Sequence, residues 1–280
     1  MATTVKSLRK RITLSGVLQA LCIISVVIPI LRPLGIPVPV SVQERTFYNT
    51  IEGLNRGDTV IVDFDLEPAR YEAAGYGCAV VVKRLWEKGV RFVIYTFGEA
   101  GTSAFPRFIA EPLLSLKDYP NIKYGRDMIY AGFIAGSESG MSLVSRDLWS
   151  KKQDFYGNNF DDLPLAKEIK KFEDFKLVLF FNSSTVIGNS VVRQWLSTFK
   201  TPAIGLYPAA EAGSAMVWYP QTIRAVVSDV LGSAGLETLF KTPYRATAIV
   251  DAMSSTSLLL FLVIVATNLV YWSGKGRRVR

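Results

Sequence analysis

The chain predicts an α/β protein, a mostly parallel, Rossmann-like three-layer domain flanked by two transmembrane helices. Three observations carry that expectation. Short runs rich in β-branched residues, Thr59-Val-Ile-Val-Asp-Phe64 the clearest, recur between longer amphipathic stretches, as in sheets whose parallel strands are joined by helices. Two uncharged segments, Ile12–Leu31 and Ala252–Ser273, have the roughly twenty apolar residues that an α-helix needs to cross about 30 Å of hydrocarbon. The net charge of +8 lies at the ends of the 280 residues: Lys6, Arg9, Lys10 and Arg11 precede the first segment, Lys275, Arg277, Arg278 and Arg280 follow the second, and the body between is balanced.

Basic residues flanking a membrane span stay on the cytoplasmic side. The expected topology is two-pass in the cell (plasma) membrane. It has cytoplasmic tails at 1–11 and 274–280, transmembrane helices at 12–31 and 252–273, and an extracytoplasmic domain at 32–251. Tyr271-Trp272 suits the membrane interface. A cleaved signal peptide is the other reading of the first segment, but the chain continues Arg32-Pro-Leu-Gly-Ile-Pro37 without a small-x-small cleavage site. A nucleic-acid binder would gather its surplus charge on a folded face, so no nucleic-acid partner is expected. The chain has no histidine, which excludes His triads and His proton relays. Cys22 and Cys78 are too few for a disulfide framework or a cysteine metal cluster.

Within the body, Ser41 and Glu44 make a capping-box start to a helix reaching about Leu54. Thr59–Phe64 reads as the first strand. Pro68 opens a helix that Gly89 stops, and Val90–Thr96 follows as the second strand. Further along, the pattern predicts helices over Phe105–Leu116, Leu163–Phe172, Val186–Phe199 and Thr222–Leu231, with strands over Met128–Ala135, Leu177–Phe181 and Pro202–Tyr207. Ser150–Asp162 is the longest non-periodic loop and carries aromatics, which suits either partner contacts or a plain solvated connection.

In parallel sheets, ligands bind beyond the carboxyl ends of the strands. There the sequence places Asp63, Asp65 and Glu67, then Thr96 and Glu99, Glu138 within Gly136-Ser-Glu-Ser-Gly140, Asn182 with Ser183, and Glu211. Carboxylates gathered in such a cleft would suit a hard cation such as Mg²⁺ or Ca²⁺. Plainer roles exist for each. Acids at a strand-to-helix turn cap helices, the glycines of 136–140 turn the chain into a helix, and Cys78 beside Val80-Val-Val82 packs in a core. Asn182-Ser-Ser184 matches a glycosylation acceptor by sequence.

Asp63-Phe-Asp65, with Thr96 at the next strand end, resembles the aspartate motif of haloacid-dehalogenase-type phosphatases, in which that hydroxyl would hold phosphate. The later lysine and closing pair of acids of that family have no counterpart. Taken with Arg32–Pro37, Gly132-Phe-Ile-Ala-Gly136 and Asn158-Asn-Phe-Asp-Asp-Leu-Pro164, the Val62–Asp65 element also resembles a group of archaeal and bacterial membrane-anchored α/β proteins with no assigned activity. That resemblance implies fold and topology, and no catalytic residue. The expected function is a non-enzymatic structural or interaction subunit of a membrane assembly, partnered with the lipid bilayer and with copies of itself or other membrane subunits. The alternative is a ligand-binding or divalent-metal-dependent, phosphatase-like hydrolase working from the acidic cleft.

Overall fold

The computed structural model describes residues 14–278, with side chains described as far as Ser273. The tail at 1–11 lies outside the described residues, as do the side chains of the tail at 274–280. The chain divides into two units, Val38–Ala246 and a second made of residues 1–37 with 247–280.

In Val38–Ala246, strands β1 (Thr59–Asp65), β2 (Arg91–Thr96), β3 (Met128–Phe133), β4 (Leu177–Asn182), β5 (Ala203–Tyr207) and β6 (Ile223–Ser228) form one all-parallel sheet. Their order is β3-β2-β1-β4-β5-β6, the doubly wound arrangement of Rossmann folds. Every residue of β1, β4 and β5 is buried. Successive side chains point to opposite faces, so both faces of the sheet centre are covered.

The helices are α1 (Leu14–Leu31), α2 (Val42–Glu52), α3 (Tyr71–Lys88), α4 (Glu99–Ile109), α5 (Glu138–Arg146), α6 (Pro164–Glu168), α7 (Thr185–Val191, running on through a π-turn), α8 (Ala209–Met216), α9 (Asp229–Leu239) and α10 (Arg245–Arg278). Two of their ends follow the sequence signals closely. The amide of Ser41 donates to Glu44 (2.7 Å) while the Ser41 hydroxyl accepts from Gln43 N (3.1 Å), closing the cap of α2. Gly89 ends α3 at φ 69°, a left-handed conformation that costs glycine little.

Other segments differ from the sequence expectation. Thr222–Leu231, expected to be helical, is instead strand β6 leading into α9. It is an edge strand with Arg224 exposed, and its Val226 amide is taken by the side chain of Gln43 from α2 (2.9 Å), which blunts the edge. The helix expected at Phe105–Leu116 begins six residues earlier, at Glu99, and stops at Ile109 ahead of a short 3-10 turn at Pro112–Leu114. Gly101 permits that start, since a Cβ there would lie 2.3 Å from the Phe64 carbonyl oxygen. The helix expected at Leu163–Phe172 shortens to α6 and a 3-10 turn at Phe172–Asp174. The aromatic loop Ser150–Asp162 folds back on the free edge of β3, where Phe155 N donates to Tyr130 O (3.0 Å) and the two rings lie 4.8 Å apart.

Two helices, α1 and the stretch Arg245–Ser273 of α10, which belongs to the second unit from Thr247 on, are long and apolar enough to cross a membrane. The final helix starts at Arg245, ahead of the Ala252 limit expected from the uncharged run, because Ala246, Ala248, Val250 and Asp251 are buried along its first turns. The Asp251 carboxylate accepts three consecutive backbone N–H groups, from Leu34 (2.6 Å), Gly35 (2.9 Å) and Ile36 (3.0 Å). The hydroxyls of Ser25 and Thr256 lie 3.1 Å apart and share a hydrogen bond.

Candidate functional site

Strands β1 and β4 meet where the order of the sheet reverses, which is where doubly wound folds place their ligands. In register there, Asp65 stands opposite Asn182. Asp63 and Asn182 are fully buried, and Asp65 and Ser183 nearly so. Asp65 accepts Phe97 N (2.9 Å) on one oxygen and Gly98 N (2.6 Å) on the other. Those amides precede α4, so this acid does serve a helix start, though the helix that follows β2 and not its own strand. Ser183 donates through both its amide (3.0 Å) and its hydroxyl (3.1 Å) to the Asp65 carbonyl, and its hydroxyl accepts from Glu67 N (2.7 Å).

Asp63 is poorer in donors. One carboxylate oxygen accepts the Asn182 side-chain amide (2.6 Å), and no N–H donates to the other. Burial pushes the Asp63 carboxyl well above the ordinary carboxylate range, helped by the charge of Asp65 and a hydrogen bond to it. Burial raises Asp65 as well, against the pull of Asp63, Phe97 and Gly98, which hydrogen-bond its ionised form. Both shifts favour the protonated form, most strongly at Asp63, while the Phe97 and Gly98 amides favour the charge on Asp65. Tyr207, ending β5, has a buried hydroxyl without a partner, and burial raises its pKa. Arg70 and the buried Glu211 form an ion pair between the turn after β1 and α8.

The structure thus brings together Asp63, Asp65, Asn182 and Ser183, while the other sequence candidates stand apart. The Glu67 carboxylate pairs with Arg70 (3.3 Å). Thr96 has its hydroxyl on that of Tyr130 (3.2 Å) and not on either aspartate, so it does not occupy a phosphate-holding position beside them. Glu99 is exposed in the first turn of α4. Glu138 pairs with Arg193 (2.6 Å) and Gln194 (3.0 Å), which hold its carboxyl down at about 2. Among the described residues, no three His, Cys, Asp or Glu side chains are arranged to hold a metal ion. Asn182 is spent on Asp63 inside the fold, where no glycan reaches it. Cys78 is fully buried, and burial raises its thiol, as a packing residue requires.

Arg70 and Tyr207 were not singled out in the sequence, because their role depends on β5 lying next to β4. The turn Asp63-Phe-Asp-Leu-Glu-Pro68 has no glycine, whereas dinucleotide-binding folds need glycines there for a pyrophosphate to approach the backbone. An ionised carboxylate at that point repels phosphate. As a chemical device the arrangement is a proton-sharing acid pair sealed in the protein. Comparison with known proteins finds no matching family model, no matching curated protein and no matching solved structure.

Proposed function

We propose that this protein is a non-enzymatic structural or interaction subunit of a membrane assembly, holding its α/β unit beyond the outer face of the lipid bilayer. The observation that carries this reading is the filled switch point. Where a Rossmann-type enzyme opens a crevice, Asp63, Asp65, Asn182 and Ser183 are buried and bonded to one another. The anchoring part rests on the two apolar helices, and the orientation on the basic residues that flank them. Ser25 and Thr256 add a hydrogen bond of the kind that pairs helices in lipid. The hydrolase alternative needs Asp63 to reach substrate and Thr96 to stand beside it, and neither arrangement is present.

The test is mild extraction from native membranes, followed by cross-linking and native mass spectrometry. The expected result is a discrete complex heavier than the 31.0 kDa chain, with residues 38–246 modified by membrane-impermeant reagents on intact cells. A lone chain, or a body shielded from those reagents, overturns the reading. So would hydrolysis of p-nitrophenyl phosphate that Asp63→Asn abolishes.

A further inference from the structure

A cavity of about 210 Å³ lies in the Val38–Ala246 unit at the amino ends of β5 and β6, the opposite end of the sheet from the acid pair. Ser197, Lys200, Thr201, Gln221, Thr222 and Arg224 line it, and no acidic side chain does. Two backbone features set the places of its charges. The helix that continues α7 ends at Phe199, and Lys200 caps it at φ 57°, a left-handed conformation in which glycine is usual. The register of β5 with β6 steps from Ala203–Ile223 to Ile204–Ala225, which leaves Arg224 as the extra residue of a β-bulge. A bulge takes a side chain out of the alternation of its strand, and Arg224 is exposed between the buried Ile223 and Ala225.

The polar side chains of this lining are uncommitted. Among the described residues, Lys200 and Arg224 form no ion pair, and neither they nor Ser197, Thr201, Gln221 and Thr222 spend a side-chain donor elsewhere in the chain. By contrast Arg70, Arg84, Arg107 and Arg193 each pair with a glutamate. Thr201 is 8% exposed, and its hydroxyl still has no partner within the chain, a costly state for a buried polar group unless something outside the chain completes it. A guanidinium presents a planar fork of donors that fits an oxyanion, and an ammonium adds a point charge. The helix end contributes about half a negative charge, which two full positive charges outweigh. A carboxylate, with two oxygens, would leave much of this donor set unused, whereas a tetrahedral oxyanion offers more acceptors. We propose that the cavity binds a phosphate group, whether as the free ion, a small phosphate ester or a lipid headgroup. The site stands independently of the subunit reading above.

The test uses the full chain in a neutral detergent, with inorganic phosphate as the probe at constant ionic strength. Lysines are acetylated with a water-soluble reagent and the rates are read by peptide mass spectrometry, with the exposed Lys117 and Lys167 as references. At about ten times its half-effective concentration, phosphate should slow acetylation of Lys200 about 10-fold by occupancy and leave the references unchanged. Acetate should protect less. Arg224→Gln should raise the half-effective concentration about 5-fold, the factor that a good exposed ion pair carries, while the thermal transition stays unchanged. Phosphatidylglycerol nanodiscs separate the sources: Lys200 protected before any phosphate is added identifies a lipid headgroup, and Lys200 reactive until glycerol phosphate is added identifies a soluble ester. Lys200 protected no more than Lys117 and Lys167 overturns the proposal. So does protection by acetate equal to that by phosphate, or protection unaltered by Arg224→Gln.

Discussion

Asp251 and Asp63 are both fully buried acids, one at the start of the final apolar stretch and the other at the centre of the sheet. They are supplied very differently. Asp251 receives three backbone N–H groups over its two oxygens. Asp63 receives one side-chain amide, has no N–H on its other oxygen and faces a second acid. The contrast shows that burial alone does not decide what a carboxylate becomes. Three donors let the Asp251 side chain fasten residues 34–36, whereas the donor-poor Asp63 is pushed toward its protonated form.

The largest effect expected is from Asp251→Ala, which strips three amides of their acceptor and should cost on the order of 3 kcal/mol, about 1 kcal/mol for each lost hydrogen bond. Thermal unfolding of the detergent-solubilised chain measures it, and a loss no larger than that of a surface variant would break the contrast. Asp65→Ala comes next, at about 2 kcal/mol for the stranded Phe97 and Gly98 amides.

Asp63→Asn should act with the opposite sign. The raised pKa of Asp63 means that its contribution is fully present below the ordinary carboxylate pKa of about 3.9 and is lost as pH rises through the folded value. Asparagine mimics the protonated acid at every pH. The variant should therefore melt with the native protein near pH 4 and above it near pH 8. A variant less stable at pH 8 would show that Asp63 is ionised in the fold. The smallest effect belongs to Glu138→Gln. Its ion pair with Arg193 is solvent-exposed, so no change in Tm is expected, although the Gln side chain no longer titrates near pH 2.

Much of the fold is legible along the chain. Thr59–Asp65 announces a central strand by its β-branched run, Ser41 and Glu44 announce α2, and Gly89 marks the end of α3, because these signals are local. β6 is not legible in the same way. Ile223-Arg-Ala-Val-Val-Ser228 has a single exposed position, and its edge is closed by Gln43 from far away in sequence. The early start of α4 hides behind Gly98 and Gly101, which read as loop until the approach of Gly101 to the Phe64 carbonyl is known. At the candidate site, placing polar and acidic residues at strand ends finds Asp63, Asp65, Asn182 and Ser183. Spacing along a strand does not reveal that Thr96 turns to Tyr130, nor that the acids are sealed from solvent.

The grip of Asp251 on residues 34–36 also has a polymer consequence. It closes a loop spanning 217 positions, and fixing the ends of so long a chain carries an entropic penalty of roughly 5 kcal/mol on the (3/2)RT ln n scaling. With that closure made outside residues 38–246, the inserted sheet is a cassette whose two junctions are already tied. Another domain with neighbouring termini could be spliced between the helices without undoing the knot.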